Sequence, residues 1–199
     1  GEYSIFHLPE KINLSPKSQA RYQFVSKGQI PYENIYHISH SLQRHRRNTN
    51  AKNQKIPVHV RLEIKAEDIG SFQLPGGSYK IYEQNDNILA YMGAGTSYIA
   101  EGPDKIKLAI GKTNDILCTF TIKSYEISRD VGEAEVSALF ENRKNKTVEV
   151  IWIENFSDGR WDIFESSSDY EKLDAFSAQF KISIMANSKK EINFKARIK

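Results

Sequence analysis

The feature that most constrains this chain is an apolar–polar alternation with a period of two. In Val58-His59-Val60-Arg61-Leu62-Glu63-Ile64-Lys65 every second residue is aliphatic. An extended chain points successive side chains to opposite faces, so such a run is a half-buried strand. The same period recurs at Ile106, Leu108 and Ile110; at Cys118, Phe120 and Ile122; at Val136, Ala138 and Phe140; and at Val148, Val150 and Trp152. It continues through Phe176, Ala178, Phe180, Ile182 and Ile184, and then Ile192, Phe194, Ala196 and Ile198. Less regular strands are expected at Ser4–Leu8 and Arg21–Val25. No stretch shows a helical period, and Glu67–Ser71 is long enough only for a turn.

Turn-forming residues punctuate these runs at Asn85-Asp86-Asn87, Gly102-Pro103-Asp104, Asn142–Lys146, Ser157-Asp158-Gly159 and Asn187-Ser188, at intervals that suit antiparallel pairing. Many short strands with polar outer faces and no intervening helices predict an all-β, antiparallel β-sandwich. The 199 residues suffice for one large core or two small ones. Residues 124–199 hold enough strands for an immunoglobulin-like sandwich, packed on a second β-rich half formed by residues 1–123. No Pro-rich or Ser-rich linker divides them, which predicts close packing.

The formal charge of +3 is local in origin. Arg44, Arg46, Arg47, Lys52 and Lys55 fall in one stretch, and no acid occurs from Ser41 to Lys55. Without those five cations the remainder carries 3 − 5 = −2, which argues against nucleic acid as a partner. The basic loop near residues 41–55 has the charge to track phosphates through Arg44, Arg46 and Arg47, yet it lacks an aromatic residue for base stacking. A solvated hairpin tip is the simpler reading. No apolar run reaches the roughly 18–20 residues of a membrane span. The chain begins Gly1-Glu2, and the expectation is that it starts inside a longer gene product.

Candidate chemistry is sparse. Cys118 is the lone cysteine, which excludes an intrachain disulfide and a cysteine-based zinc site; its place beside Phe120 and Ile122 predicts a buried core thiol. His37, His40 and His45 cluster, but His37 and His40 would point to opposite faces of a strand, so solvated loop histidines are expected and no metal. Asp158, Asp162, Glu165, Asp169 and Glu171 surround Trp161 and have the residue types of a glycosidase pair, which would need to face across a cleft. Acids lining the wet side of a strand are commoner. Gly76-Gly77-Ser78 and Gly95-Thr96-Ser97 lack the closing glycine of a nucleophile elbow, and Gly93-Ala94-Gly95-Thr96-Ser97-Tyr98 opens no helix, so it is no dinucleotide fingerprint. No cofactor is expected. Trp152 reads as core. Trp161 reads as core or sheet edge, with an exposed sugar-stacking platform, shared with Tyr170, as the alternative.

A wider resemblance is carried by Phe6-His7-Leu8-Pro9, Ile12-Asn13-Leu14, Ile30-Pro31-Tyr32-Glu33-Asn34-Ile35-Tyr36, Leu74-Pro75-Gly76-Gly77 and Lys80-Ile81-Tyr82. Downstream it includes Glu141-Asn142-Arg143-Lys144, Val148-Glu149-Val150, Gly159-Arg160-Trp161-Asp162-Ile163 and Tyr170-Glu171-Lys172-Leu173-Asp174-Ala175. In this order the segments resemble the C-terminal domain of the mucoidy-inhibitor-A-like proteins, across nearly the whole chain. Departures are the insertion-like basic stretch from His40 to Gln54, and Ile184-Met185-Ala186-Asn187 where the family carries a Pro-containing turn. The resemblance implies a bacterial cell-envelope, periplasmic or secreted location and supplies no catalytic residues. The expected function is a non-enzymatic module for protein interaction or assembly, with another envelope protein as partner. A carbohydrate-binding module using Trp161 and Tyr170 is the alternative.

Overall fold

The computed structural model describes residues 11–13, 15–19, 30–43, 52–69, 76–85, 88–97, 105–129 and 131–199. The expected strands at Ser4–Leu8 and Arg21–Val25, the Gly102-Pro103-Asp104 turn and the cations Arg44, Arg46 and Arg47 lie outside the described residues. Eleven strands follow one another: β1 (Glu33–Leu42), β2 (Gln54–Lys65), β3 (Gly77–Asn85), β4 (Ile88–Ser97), β5 (Lys105–Ser128), β6 (Val131–Asn142), β7 (Val148–Phe156), β8 (Trp161–Ser166), β9 (Glu171–Lys172), β10 (Ser177–Ile184) and β11 (Ser188–Ile198). A single helical turn, Ala66–Ile69, is the only other regular element among the described residues.

Nine strands form one sheet in the order β8-β11-β6-β5-β2-β1-β7-β10-β9, and β3 pairs with β4 in a separate hairpin. The protein is therefore all-β and sandwich-like, because the large sheet curls until its wings face each other. Trp152 on β7 shows this most directly. Its ring stacks on Phe180 of β10 at 4.9 Å and meets Phe194 of β11 at 5.5 Å, with Phe120 of β5 and Phe140 of β6 each at 6.0 Å. The inward residues of the alternating runs, among them Ile38, Val136, Val150, Ile182 and Ile198, fill the same core.

Two features differ from the antiparallel, two-part expectation. The β1–β7 pair is parallel, from Tyr36 opposite Val150 to Leu42 opposite Phe156. Alternation is identical in parallel and antiparallel strands, so the pattern carries no signal for direction. In addition, β5 runs through the 123/124 division and hydrogen-bonds to β2 on one side and β6 on the other, so one sheet is continuous across it. Register shifts between Ile56 and Val58, between Val60 and Arg61, and between Ile122 and Ser124 bend these long strands, as bulges do. Phe176 also departs from the expected inward series. It is 56% exposed, because the Asp174 carboxylate accepts its amide hydrogen at 2.7 Å and the turn so formed delays β10 to Ser177.

Beyond the main core, β2 and the start of β5 extend as an arm with its own apolar cluster. Leu62, Ile106 and Leu108 are buried there, with Tyr79, Ile81 and Ile110 packed against them. The β3–β4 hairpin lies over this arm through two glycines. A Cβ on Gly95 would stand 2.5 Å from the Ala109 carbonyl oxygen, and one on Gly93, whose φ is +146°, would stand 2.6 Å from the Ile110 side chain. Gly95→Ala is accordingly expected to lift the hairpin and cost about 1–3 kcal/mol, whereas Gly77→Ala, with nothing within 4 Å of the new Cβ, leaves the arm in place. Urea unfolding together with amide exchange along β4 measures both; equal behaviour of the two variants would contradict the close approach.

Candidate functional site

Trp161 lies at the edge of the core, at the seam where the curled sheet brings β8 near β9 and β10, and Tyr170, the other residue of the sugar-stacking alternative, stands at the same seam 38% exposed. The Trp161 ring is 8% exposed and stacks on Phe156 at 4.2 Å and 12°. The Lys172 ammonium covers it at 4.5 Å, and its Nε1–H donates to the Ala175 carbonyl at 2.8 Å. With Phe156 and Lys172 against the ring, no open face is left for a sugar. The Tyr170 hydroxyl donates to the Ile163 carbonyl at 3.1 Å, and its ring lies 5.8 Å from that of Phe180. Trp161→Phe keeps the stack and removes only the hydrogen bond, so a loss of about 0.5–1.5 kcal/mol is expected in urea unfolding. An unchanged midpoint would mean the seam closes without that bond.

Two of the acids near Trp161, Asp158 and Glu165, have partners close by. The Asp158 carboxylate accepts the Arg160 amide at 3.1 Å, Glu165 pairs with Lys195 at 2.7 Å, and Asp162 lies exposed on β8. Cys118 is buried as expected, and burial, aided by the Glu154 charge, pushes its thiol up to about 12. It carries almost no thiolate near neutral pH. Among the described residues no group of three or more His, Cys, Asp or Glu side chains is placed to hold a metal ion.

His40 departs from the solvated-loop expectation. The β1–β7 register sets it directly opposite Glu154, and both side chains are buried. His40 Nδ1 stands 2.8 and 3.0 Å from the two Glu154 oxygens, and Trp152 Nε1–H donates to Oε2 at 3.0 Å. Burial raises the Glu154 pKa above the ordinary carboxylate value, while bonds from His40, Trp152 and the Leu42 amide oppose the shift. The His40 ring also lies 3.7 Å from that of Phe120. The other two histidines among the described residues sit on the outer face, where His37 opposes His59 across β1 and β2 with ring centroids 5.7 Å apart; His45 lies outside the described residues. Burial lowers the His37 pKa, and Arg61 and His59 add to the effect.

Just beyond the His37–His59 pair the β1–β2 ladder ends, although β1 continues along β7 to Leu42 and β2 continues along β5 back to Gln54. In the continued register Pro57 would face Ser39, and proline has no N–H to donate. The strands part, and a cleft of about 350 Å³ opens between Ser39, His40, Ser41 and Gln43 on one side and Gln54, Lys55, Ile56 and Pro57 on the other.

The second exposed feature is the hairpin. Ile88, Leu89 and Tyr91 are 70%, 64% and 58% exposed, and Tyr82 and Met92 are also exposed. Tyr82 pairs with Tyr91 and Gln84 with Leu89, which puts Tyr82, Leu89 and Tyr91 on one face; the tyrosine rings lie 5.4 Å apart. Tyr79 and Ile81 meanwhile serve the arm's cluster. The outward apolar face is thus additional to the packing of the fold. A sequence signal exists for it in Ile88-Leu89-Ala90-Tyr91-Met92, where the run is apolar at every position instead of every second one.

No family model, curated protein or solved structure matches this chain.

Proposed function

We propose that this chain is a non-enzymatic β-sandwich module of a bacterial cell-envelope or secreted protein that works by docking to another protein. The supporting observation is the face formed by Tyr82, Leu89 and Tyr91. Large apolar side chains gathered on one projecting hairpin carry an unfavourable hydration free energy in the isolated module, which is relieved when they are covered. Tyrosines suit such a surface, since each buries a broad ring while its hydroxyl keeps a hydrogen-bond partner. The matching partner surface is apolar with acceptors at its rim. The envelope assignment rests on the motif resemblance.

The reading is tested with a photo-crosslinking residue placed at Leu89 and, as a control, at Lys190, followed by exposure to envelope extract. One discrete adduct from position 89 that disappears in Tyr91→Glu is the expected result. Indistinguishable adducts from the two positions, or an adduct that survives Tyr91→Glu, would remove the hairpin from the account.

A further inference from the structure

We propose that the cleft between β1 and β2 is a binding site for a small polar molecule carrying an oxyanion, a carboxylate or a phosphate. Its lining is rich in donors. Among the described residues Lys55 forms no ion pair and no carboxylate lines the cleft, while Gln43, Gln54, Ser39 and Ser41 contribute amides and hydroxyls. An anion brought there meets a free ammonium together with several uncharged donors, which is the combination that replaces an anion's lost hydration.

One hydroxyl of the lining is held in place by a neighbour. Asn155 Nδ2 donates to Ser39 Oγ at 3.0 Å and to the His40 carbonyl at 2.9 Å, which uses both hydrogens of the amide. With its oxygen accepting from Asn155, Ser39 has its own hydroxyl hydrogen left to give. Behind it, His40 is held by Glu154, so the cleft floor is anchored to the core and does not have to be ordered when a ligand arrives. The volume of about 350 Å³ lies at the small end of ligand sites, suited to an organic acid or a phosphate monoester. This site is separate from the β3–β4 face, and neither proposal depends on the other.

The experiment is a titration of the ¹⁵N-labelled protein with inorganic phosphate and, separately, with acetate, at constant ionic strength. Saturable shifts of the Ser39, Ser41 and Lys55 amides are expected with at least one probe, and the tighter probe identifies the head group. Lys55→Gln should weaken binding at least tenfold and Ser39→Ala several-fold. Lys190→Gln, on β11, should leave the affinity unchanged. Lys55 is exposed, so its replacement is expected to keep the unfolding midpoint, and a midpoint check separates lost binding from lost structure. Linear, unsaturable shifts with both probes, or equal affinities in wild type and Lys55→Gln, would overturn the site.

Discussion

Replacing Trp152 with alanine is expected to remove about 3–5 kcal/mol of stability, a large share of the roughly 5–15 kcal/mol that holds a domain folded. The indole is fully buried and touches aromatic rings on β5, β6, β10 and β11. It thus joins both wings of the curled sheet. Its removal leaves a cavity that these rings can fill only by moving the strands that carry them, and it takes from Glu154 the hydrogen bond of Nε1. Trp152→Phe should cost less, since the ring packing partly survives. Urea unfolding decides the matter: a loss below about 1 kcal/mol for the alanine variant would mean that the wings are held together elsewhere.

The second large effect is expected from His40→Ala. Breaking a buried polar pair by deleting one partner costs about 3–5 kcal/mol, most of it from the group left behind. That group is Glu154, buried with only the Trp152 indole and the Leu42 amide as remaining partners. Adding Glu154→Gln should recover part of the loss, because the amide keeps an oxygen for Trp152 while removing the charge. Strictly additive losses in the double variant would show that the two side chains are not coupled.

The pair also has a pH signature. The folded pKa of Glu154 lies above its ordinary value of 4.5, so the native state favours the protonated form. Its stabilising contribution is complete below about pH 4.5 and is lost as pH rises through the raised native value. His40→Ala removes a bond that opposed the shift, and the fall in stability with rising pH should become steeper. Glu154→Gln should flatten it. A Glu154→Gln variant that retains the wild-type slope would assign that slope to another group.

Much of this architecture is written in the period-two pattern. It places β2, β5, β6, β7, β10 and β11, assigns Trp152 and Cys118 to the core, and excludes a helical layer. The same pattern also marks the two residues of a buried polar pair. Glu154 follows Val148, Val150 and Trp152 at the next inward position, and His40 lies between the inward Ile38 and Leu42. Two polar residues at core positions on separate strands imply either a mutual partner or an unstable fold. The sequence carried no statement that these strands are neighbours, so the pair was invisible and His40 resembled a loop histidine. Trp161 shows the converse: a tryptophan after a Ser-Asp-Gly turn is compatible with a platform or a core edge, and only the approach of Phe156, Ala175 and Lys172 distinguishes them.

Local chemistry in the chain therefore determines which residues are extended, which face each side chain takes and where the turns fall, because those properties depend on a few adjacent residues. Strand order, the parallel β1–β7 pairing, the curl that makes one sheet into two facing wings, and the cleft where Pro57 ends a ladder were decided by the tertiary structure. They depend on contacts between residues up to more than a hundred positions apart, such as His40 and Glu154. A two-residue period specifies a face but not a neighbour.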